Sequence, residues 1–497
     1  MKTNATKLLS LFLALVMASG LAACGGEAVS SDTTAPNASG ETTAQTTGEL
    51  APEEINRENA VLRMKPVDLQ GETFNILYVG DKTIYRQDVY AEETGDIVDD
   101  AVFARNLYIE ELLNCTFNPI AFDSDTQKTV NHIYQTVMAG EDLYDLCSSH
   151  QSYLSQKITQ DAFHNFIDDP YIDWEMPWWN LDYMKELTVG DEKLFFLFGD
   201  ISLMRMKSLG SVYFHRDLYD QLYGDPDELY RTVFDGKWTF DKYSELVRGA
   251  YADLNGNTVV DTGDRFGAFG NVTKSIEHYQ YACDVYSTVR NEDGIPELAL
   301  NNEKSVNFAE KLLDLYYNNE GFIRDPKTNM EQHQSEFMSG LMLFCPIWFR
   351  EAEALREMTA DYGIVNYPKY AEDEEYQALV HNGTTVFCTP ITSKKTDKIG
   401  AICEVMAFYN YQNVTPAYFE VALKVKYSRD DNTSKVLDII SESAYTNFGY
   451  AYATYLAGLG YMRGMVESNR EFASWYASKE AAAITGIQKI IDLYTAS

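Results

Sequence analysis

The sequence predicts an α/β protein of two lobes, on three observations. Residues 73–147 run strand, helix, strand, helix, strand, the order of a parallel sheet with right-handed crossovers. Residues 66–497 are too many for one core, because single cores stop growing beyond about 250–300 residues. A composition of 45% hydrophobic and 13% aromatic residues lets both lobes pack well.

The chain opens with Lys2 and Lys7, an apolar segment from Leu8 to Ala18, and the small residues Ser19 and Gly20, the order of a secretory signal. That segment is about half of the roughly 20 residues a spanning helix needs, so a permanent membrane helix is not expected. Leu21-Ala22-Ala23-Cys24 puts a cysteine where small residues would otherwise end. It resembles the lipobox of bacterial lipoproteins, in which the cysteine is acylated and becomes the mature N-terminus. An ordinary signal with an incidental cysteine is the alternative. Several acyl chains, at ~0.8 kcal/mol per buried CH₂, hold a chain on a membrane without a spanning helix. A Ser/Thr/Ala/Gly-rich tract then runs to about Leu50. It is too polar to offset its ordering entropy and reads as a tether, so residues 1–23 are the expected signal, 24–65 the tether, and folding starts near residue 65.

Removing residues 1–23 deletes two lysines and no acid, taking the formal net charge from −35 to −37. Such a chain repels nucleic acid and anionic head groups, and neither is expected as a partner. With Cys24 lipidated, six cysteines remain: Cys115, Cys147, Cys283, Cys345, Cys388 and Cys403. None forms a C-x-x-C pair and four sit in apolar runs, so buried reduced thiols are expected more than disulfides.

The first strand is Thr73–Val79, ending in Gly80-Asp81-Lys82. Asp96 then caps a helix with Asp99 and Asp100 in its first turn and Val98, Val102, Ile109 and Leu113 at helical spacing. A second strand spans Cys115–Phe122. A second helix carries Val130, Ile133 and Val137 and stops at Gly140. Tyr144–Cys147 is the third strand, opening into Ser148-Ser149-His150-Gln151-Ser152. In such sheets ligands collect at the carboxyl ends of strands, here residues 80–82 and 148–152.

Trp174-Glu175-Met176-Pro177-Trp178-Trp179 is either a packed elbow or a ring face offered to a ligand. Leu194–Phe198 and Val212–Phe214 read as strands flanking Gly199-Asp200, a passage between lobes. From Thr239 a capped helix runs into a twelve-residue loop, with Asp253, Asn255, Asn257, Val259, Asp261 and Asp264 at positions 1, 3, 5, 7, 9 and 12. Oxygen side chains at that spacing, with the Val259 carbonyl, are how such a loop wraps Ca²⁺ in a structural role. Position 6 is Thr258 instead of glycine and the closing residue is Asp instead of Glu. A metal-free Asx-rich turn is the alternative. Later, Val306, Ala309, Leu312, Leu313 and Tyr316 make a helical face, and Gly340–Phe349 is a buried strand delivering Trp348. Tyr362–Pro368 is a short strand, Val380–Phe387 a return strand, and residues from Lys398 onward are mostly helical, including Ile484, Ile487, Ile490 and Ile491.

In this order the chain resembles an extracellular solute-binding protein of an ABC importer, in the family that includes maltose-binding protein. The residues that carry the likeness are the tethered lipobox, Gly80-Asp81-Lys82 and Tyr213-Phe214-His215-Arg216-Asp217-Leu218. Trp238-Thr239-Phe240-Asp241, Phe337 to Met342 leading to Trp348, and Asp361-Tyr362-Gly363-Ile364 complete it. The resemblance implies a two-lobe periplasmic-binding-protein-like fold of type II, with an interlobe hinge and a mostly helical C-terminal part. Lobe one would hold residues 66–203 and 379–432, and lobe two 204–378 and 433–497. It implies a carbohydrate cargo, an oligosaccharide before a simple sugar, ABC permease subunits as partners, a monomer, and no enzymatic step. Asp81 and Lys82 would meet sugar hydroxyls, as would Ser149, Gln151 and Ser152 by position. Trp348 would stack on sugar, or else be a core tryptophan under the hinge. Trp178, Trp179, Asp200, Tyr279, Phe448 and Tyr450 follow on the same positional argument. A lipid-anchored glycoside hydrolase, for which acids are plentiful but no elbow, zinc motif or P-loop exists, is one alternative. A sugar-binding surface sensor without a transporter is another.

Overall fold

The computed structural model describes residues 55–80, 83–158, 162–261, 263–271, 275–325, 330–355, 357–427 and 430–495. The signal, Cys24, the tether up to residue 54, and Asp81 and Lys82 lie outside the described residues. Residues 51–497 form one compact unit.

Phe74, Ile76 and Leu77 bury strand β1 (Glu72–Tyr78). A helix that the sequence did not announce, α1 (Thr83–Val89), follows it. Asp96 caps α2 (Ile97–Leu113) by accepting the Val98 and Asp99 N–H groups at 2.9 and 3.2 Å. β2 (Cys115–Ala121) lies parallel to β1, and α3 (Thr126–Met138) stops before Gly140 at φ +70°. β3 (Leu146–His150) is also parallel to β1 and runs past the expected end at Cys147. Ser148, Ser149 and His150 are held in the strand because a later strand pairs with them.

The second sheet begins with β4 (Gly210–His215). Thr239 caps α4 (Phe240–Gly249), which leads through the Asx-rich loop to β5 (Phe266–Asn271) and the wholly buried α5 (Ile276–Ala282). Next come α6 (Glu303–Tyr317), β6 (Phe322–Asp325), β7 (Met342–Trp348) and β8 (Tyr362–Val365). On α6 the expected Val306 faces solvent, while Phe308, Ala309, Leu312, Leu315 and Tyr316 are buried. The strand order is β8-β4-β7-β5-β6, with β4 antiparallel to both neighbours and β5 parallel to both of its own.

The chain then returns to the first sheet. The expected strand 380–387 splits: Ala378–Leu379 pairs with Ala444–Tyr445, residues 381–384 turn, and β9 (Thr385–Cys388) lies antiparallel to β3. The first sheet is therefore ordered β9-β3-β1-β2 among the described residues. Residues 194–198, expected as a strand, contribute only a bridge from Leu197 to Phe387. α7 (Ile399–Tyr409) continues into π-helical turns over Asn410–Val414 and Ala417–Tyr427. In the terminal α8 (Glu480–Thr495), Ile487 and Ile490 are buried and Ile484 is exposed. The six cysteines beyond Cys24 are all free and buried. No helix among the described residues is long and apolar enough to cross a membrane.

Candidate functional site

A cavity of about 310 Å³ opens at the carboxyl ends of β1 and β7. Ile84 and Gln87 of α1 and the first turn of α2 wall it on the side of the first sheet. Lys207, Phe349, Arg350 and Tyr418 complete the lining. The Asp81 and Lys82 of the sequence reading lie outside the described residues. Asp96 spends its carboxylate on the α2 cap, and Asp99 accepts Gln87 Nε2 at 2.8 Å and Arg86 Nη2 at 3.2 Å. The Lys207 ammonium donates to Gln87 Oε1 and lies 5.4 Å from the Tyr418 ring. Beneath them Asp88, fully buried, accepts the Leu203 and Met204 N–H groups at 2.7 and 3.2 Å and the Ser202 hydroxyl at 3.2 Å. Burial raises its carboxyl above the ordinary range, against the hydrogen bond from Thr385 and the charge of Lys207.

Trp348 ends β7 beside this cavity and is 4% exposed. Its Nε1 donates to His278 Nε2 at 2.9 Å, the Arg350 guanidinium lies 4.0 Å over the ring, and the His381 ring is 4.9 Å away. A ligand could stack on this indole only if Arg350 moved aside. His278 and His381 lie 6.0 Å apart at 22°, and His150 approaches both His381 and the Gly383 turn. Burial, then the charge of Arg350, lowers His278 to about 3. His381 is held well below its ordinary value by burial and by His278, Arg350, His150 and Arg463. Histidines separated by more than a hundred residues carry no spacing signal, and sequence reasoning missed this cluster.

The other expected residues separate into groups. Gln151 is buried, donating to Ser155 Oγ at 2.7 Å and Ala451 O at 3.3 Å. Ser152 lies 3.2 Å from His150 Nδ1, and its N–H reaches Asn382 O. Tyr450 accepts the Asn382 N–H at 3.2 Å, so Gln151, Ser152 and Tyr450 gather around the 381–384 turn. Ser149 is buried with its hydroxyl unpaired. Tyr279 is in the core of the second sheet, 2.7 Å from the Tyr243 hydroxyl, and Phe448 packs beside Arg290. Trp178, Trp179 and Asp200 line a separate open cavity of about 650 Å³, where Asp200 pairs with Arg205 at 3.1 Å and Trp179 Nε1 donates to Glu404 at 2.8 Å.

In the Asx-rich loop Asp253 accepts the Gly256 and Thr258 N–H groups at 2.7 and 2.9 Å. Thr258 takes φ +62°, making the turn that glycine usually makes. Asn255 and Asn257 donate to Asp261 at 2.9 and 2.6 Å. Asp264, 1% exposed, leaves Oδ1 without a partner while Oδ2 accepts the Tyr251 hydroxyl at 3.2 Å. The donors are all oxygens and the orphaned Asp264 Oδ1 suits a hard cation. Among the described residues, however, no group of three or more His, Cys, Asp or Glu side chains is arranged to hold a metal.

No family model and no curated protein matches the chain. Solved structures do. A cyclo/maltodextrin-binding protein complexed with maltotetraose is 11% identical at a TM-score of 0.54, over 85% of this chain and 97% of that one. UspC of M. tuberculosis is 13% identical at 0.53, over 83% and 100%. The maltose/maltodextrin-binding domain MalE of Bdellovibrio bacteriovorus, bound to maltotriose, is 13% identical at 0.51, over 84% and 100%. UgpB of M. tuberculosis, in complex with glycerophosphocholine, is 12% identical at 0.52, over 83% and 99%. The chain therefore has the two-lobe α/β fold of the maltodextrin-binding type of solute-binding protein.

Proposed function

We propose that this protein captures a carbohydrate outside the cell and presents it to an ABC permease, held to the membrane surface through acylated Cys24. The observation that carries the reading is the cavity lined by residues that follow β1 and β7, since α/β folds deliver ligand-binding groups at the carboxyl ends of their strands. Lobe one would comprise 66–203 and 379–432, and lobe two 204–378 and 433–497, closing on the ligand as hinged lobes do. Binding involves no covalent step. The maltodextrin-bound neighbours support a sugar. The neighbour bound to glycerophosphocholine makes a glycerophosphodiester the control solute.

Tryptophan fluorescence of the purified protein, titrated with mono- and oligosaccharides and with glycerophosphocholine, tests this. A saturable response to a sugar is expected. A response to the phosphodiester alone would replace sugar as the cargo class. A Cys24→Ser chain that still partitions into membranes would remove the anchor.

The loop at 253–264 is proposed to take Ca²⁺ as a structural ion. A ligand that binds only the folded chain raises stability by RT ln(1 + [L]/Kd). Millimolar Ca²⁺ should therefore raise the melting temperature, and Asp264→Asn should abolish the rise. An unchanged melting curve would leave the metal-free turn.

A further inference from the structure

We infer that the 310 Å³ cavity selects an anionic saccharide, one whose ring carries a carboxylate or a sulfate ester, and that Arg350 binds that charge. This rests on the carbohydrate reading above and goes beyond it in naming the cargo's charge.

The hydrogen-bond balance of the walls carries the inference. Both acids of the cavity are engaged within the protein. Asp96 accepts the first N–H groups of α2, and Asp99 accepts from Gln87, Arg86 and Thr94. Asp88, below the floor, is saturated by Leu203, Met204, Ser202 and Thr385. The cations differ. The Arg350 side chain is 16% exposed, so it has lost most of its water, yet among the described residues its guanidinium makes no hydrogen bond. Its carboxylate neighbour, Glu351, is 3.6 Å from Nε and also accepts Gln334 Nε2 at 3.2 Å. What holds the guanidinium is the face of Trp348, 4.0 Å away. A guanidinium stacked on an aromatic ring keeps its in-plane N–H fork for a bidentate carboxylate or sulfate. Lys207, whose ammonium donates to Gln87 and whose charge also acts on Asp88, lines the same cavity.

A neutral sugar would leave that fork with hydroxyl acceptors only. An anion satisfies it with charge-assisted bonds, which are roughly twice as strong. The cavity lies near the lower end of the ~300–1,000 Å³ range of ligand pockets, which suits the charged end unit of a saccharide. The formal net charge of −35 opposes an anion at long range. The preference must come from groups within a Debye length, ~8 Å at physiological salt, and Arg350 is placed to supply it.

Calorimetric titration of the purified protein with glucuronate and galacturonate, their disaccharides, a sulfated galactose, and the neutral parent of each tests the inference. Acetate and sulfate serve as free-anion controls. At least one anionic sugar should bind tenfold or more tightly than its neutral parent, with the advantage shrinking as salt rises. Arg350→Gln should erase that advantage while changing neutral-sugar affinity less than twofold, and Arg350→Lys should restore part of it. The carboxylate and sulfate arms identify which group is read. A melting curve matching wild type shows each variant to be folded, and Arg350→Lys stands in if Arg350→Gln is not. Neutral sugars binding as tightly as charged ones, or an advantage surviving in Arg350→Gln, would overturn the inference and leave the carbohydrate reading standing. No response to any saccharide would overturn both.

Discussion

The indole of Trp348 is tied by its N–H to His278 and covered by Arg350, so its energetic role is partly that of a core residue. Trp348→Ala should cost about 3–5 kcal/mol in urea unfolding, the range for large buried aromatics. Trp348→Phe should cost about 1 kcal/mol through the lost hydrogen bond, less any gain in packing. The buried thiols make a second case. Burial raises Cys147, Cys283, Cys345 and Cys403 well above their ordinary value, and Cys115 to about 12. Only thiolates react readily. A thiol reagent at pH 8 should leave these five unlabelled in the native chain and label them on unfolding. The Trp348 position was legible because it ends a continuous apolar run, but its partners come from α5, the 381–384 turn and its own strand's exit. No local pattern names them.

At the scale of elements, α1 depends on contacts distant in the chain. It is short, and the alternation of Ile84, Tyr85 and Val89 with polar residues is too brief to announce a helix. Asp88 anchors it by accepting hydrogen bonds from residues 202–204 and 385. Asp88→Ala would strand those buried donors, each costing about 1–3 kcal/mol, so a loss of about 3 kcal/mol or more is expected by chemical denaturation. The packing of α4 on the second sheet has a similar dependence. A Cβ on Gly267 or Gly321 would come within 2.1 or 1.9 Å of the Val247 carbonyl, which is backbone and cannot rotate away. Gly321→Ala should therefore destabilise by about 1–3 kcal/mol through overpacking, read as a lower urea midpoint with an unchanged slope.

For the whole molecule, buried ionisable groups give stability an optimum in pH. His278 and His381 are neutral when folded, whereas an unfolded histidine protonates near 6.5. Their stabilising contribution is present above that pH and is lost as pH falls, for His278 through about 3. Glu404 acts in the other direction. It is fully buried and raised to about 8 by burial, against the Trp179 hydrogen bond. Its contribution is present below about pH 4.5 and is lost as pH rises through about 8. The melting temperature should thus fall on both sides of a maximum. Glu404→Gln, which can still accept from Trp179, should flatten the alkaline side, and His381→Gln should lessen the acid side.

Sequence alone determined β1, α2, β2, α3 and β3 of the first sheet, the Asp96 and Thr239 caps, the buried β7 and the Asx-rich loop. Each of these depends on neighbours within a few residues, through periodicity, capping or turn chemistry. Tertiary structure decided that β9 returns to extend β3, that residues 194–198 make only bridges, and that His278 and His381 meet beside Trp348. It also set Trp178, Trp179 and Asp200 around a cavity of their own, apart from Gln151 and Tyr450. Those outcomes rest on strand pairing and side-chain contacts between segments a hundred or more residues apart, which local pattern does not encode.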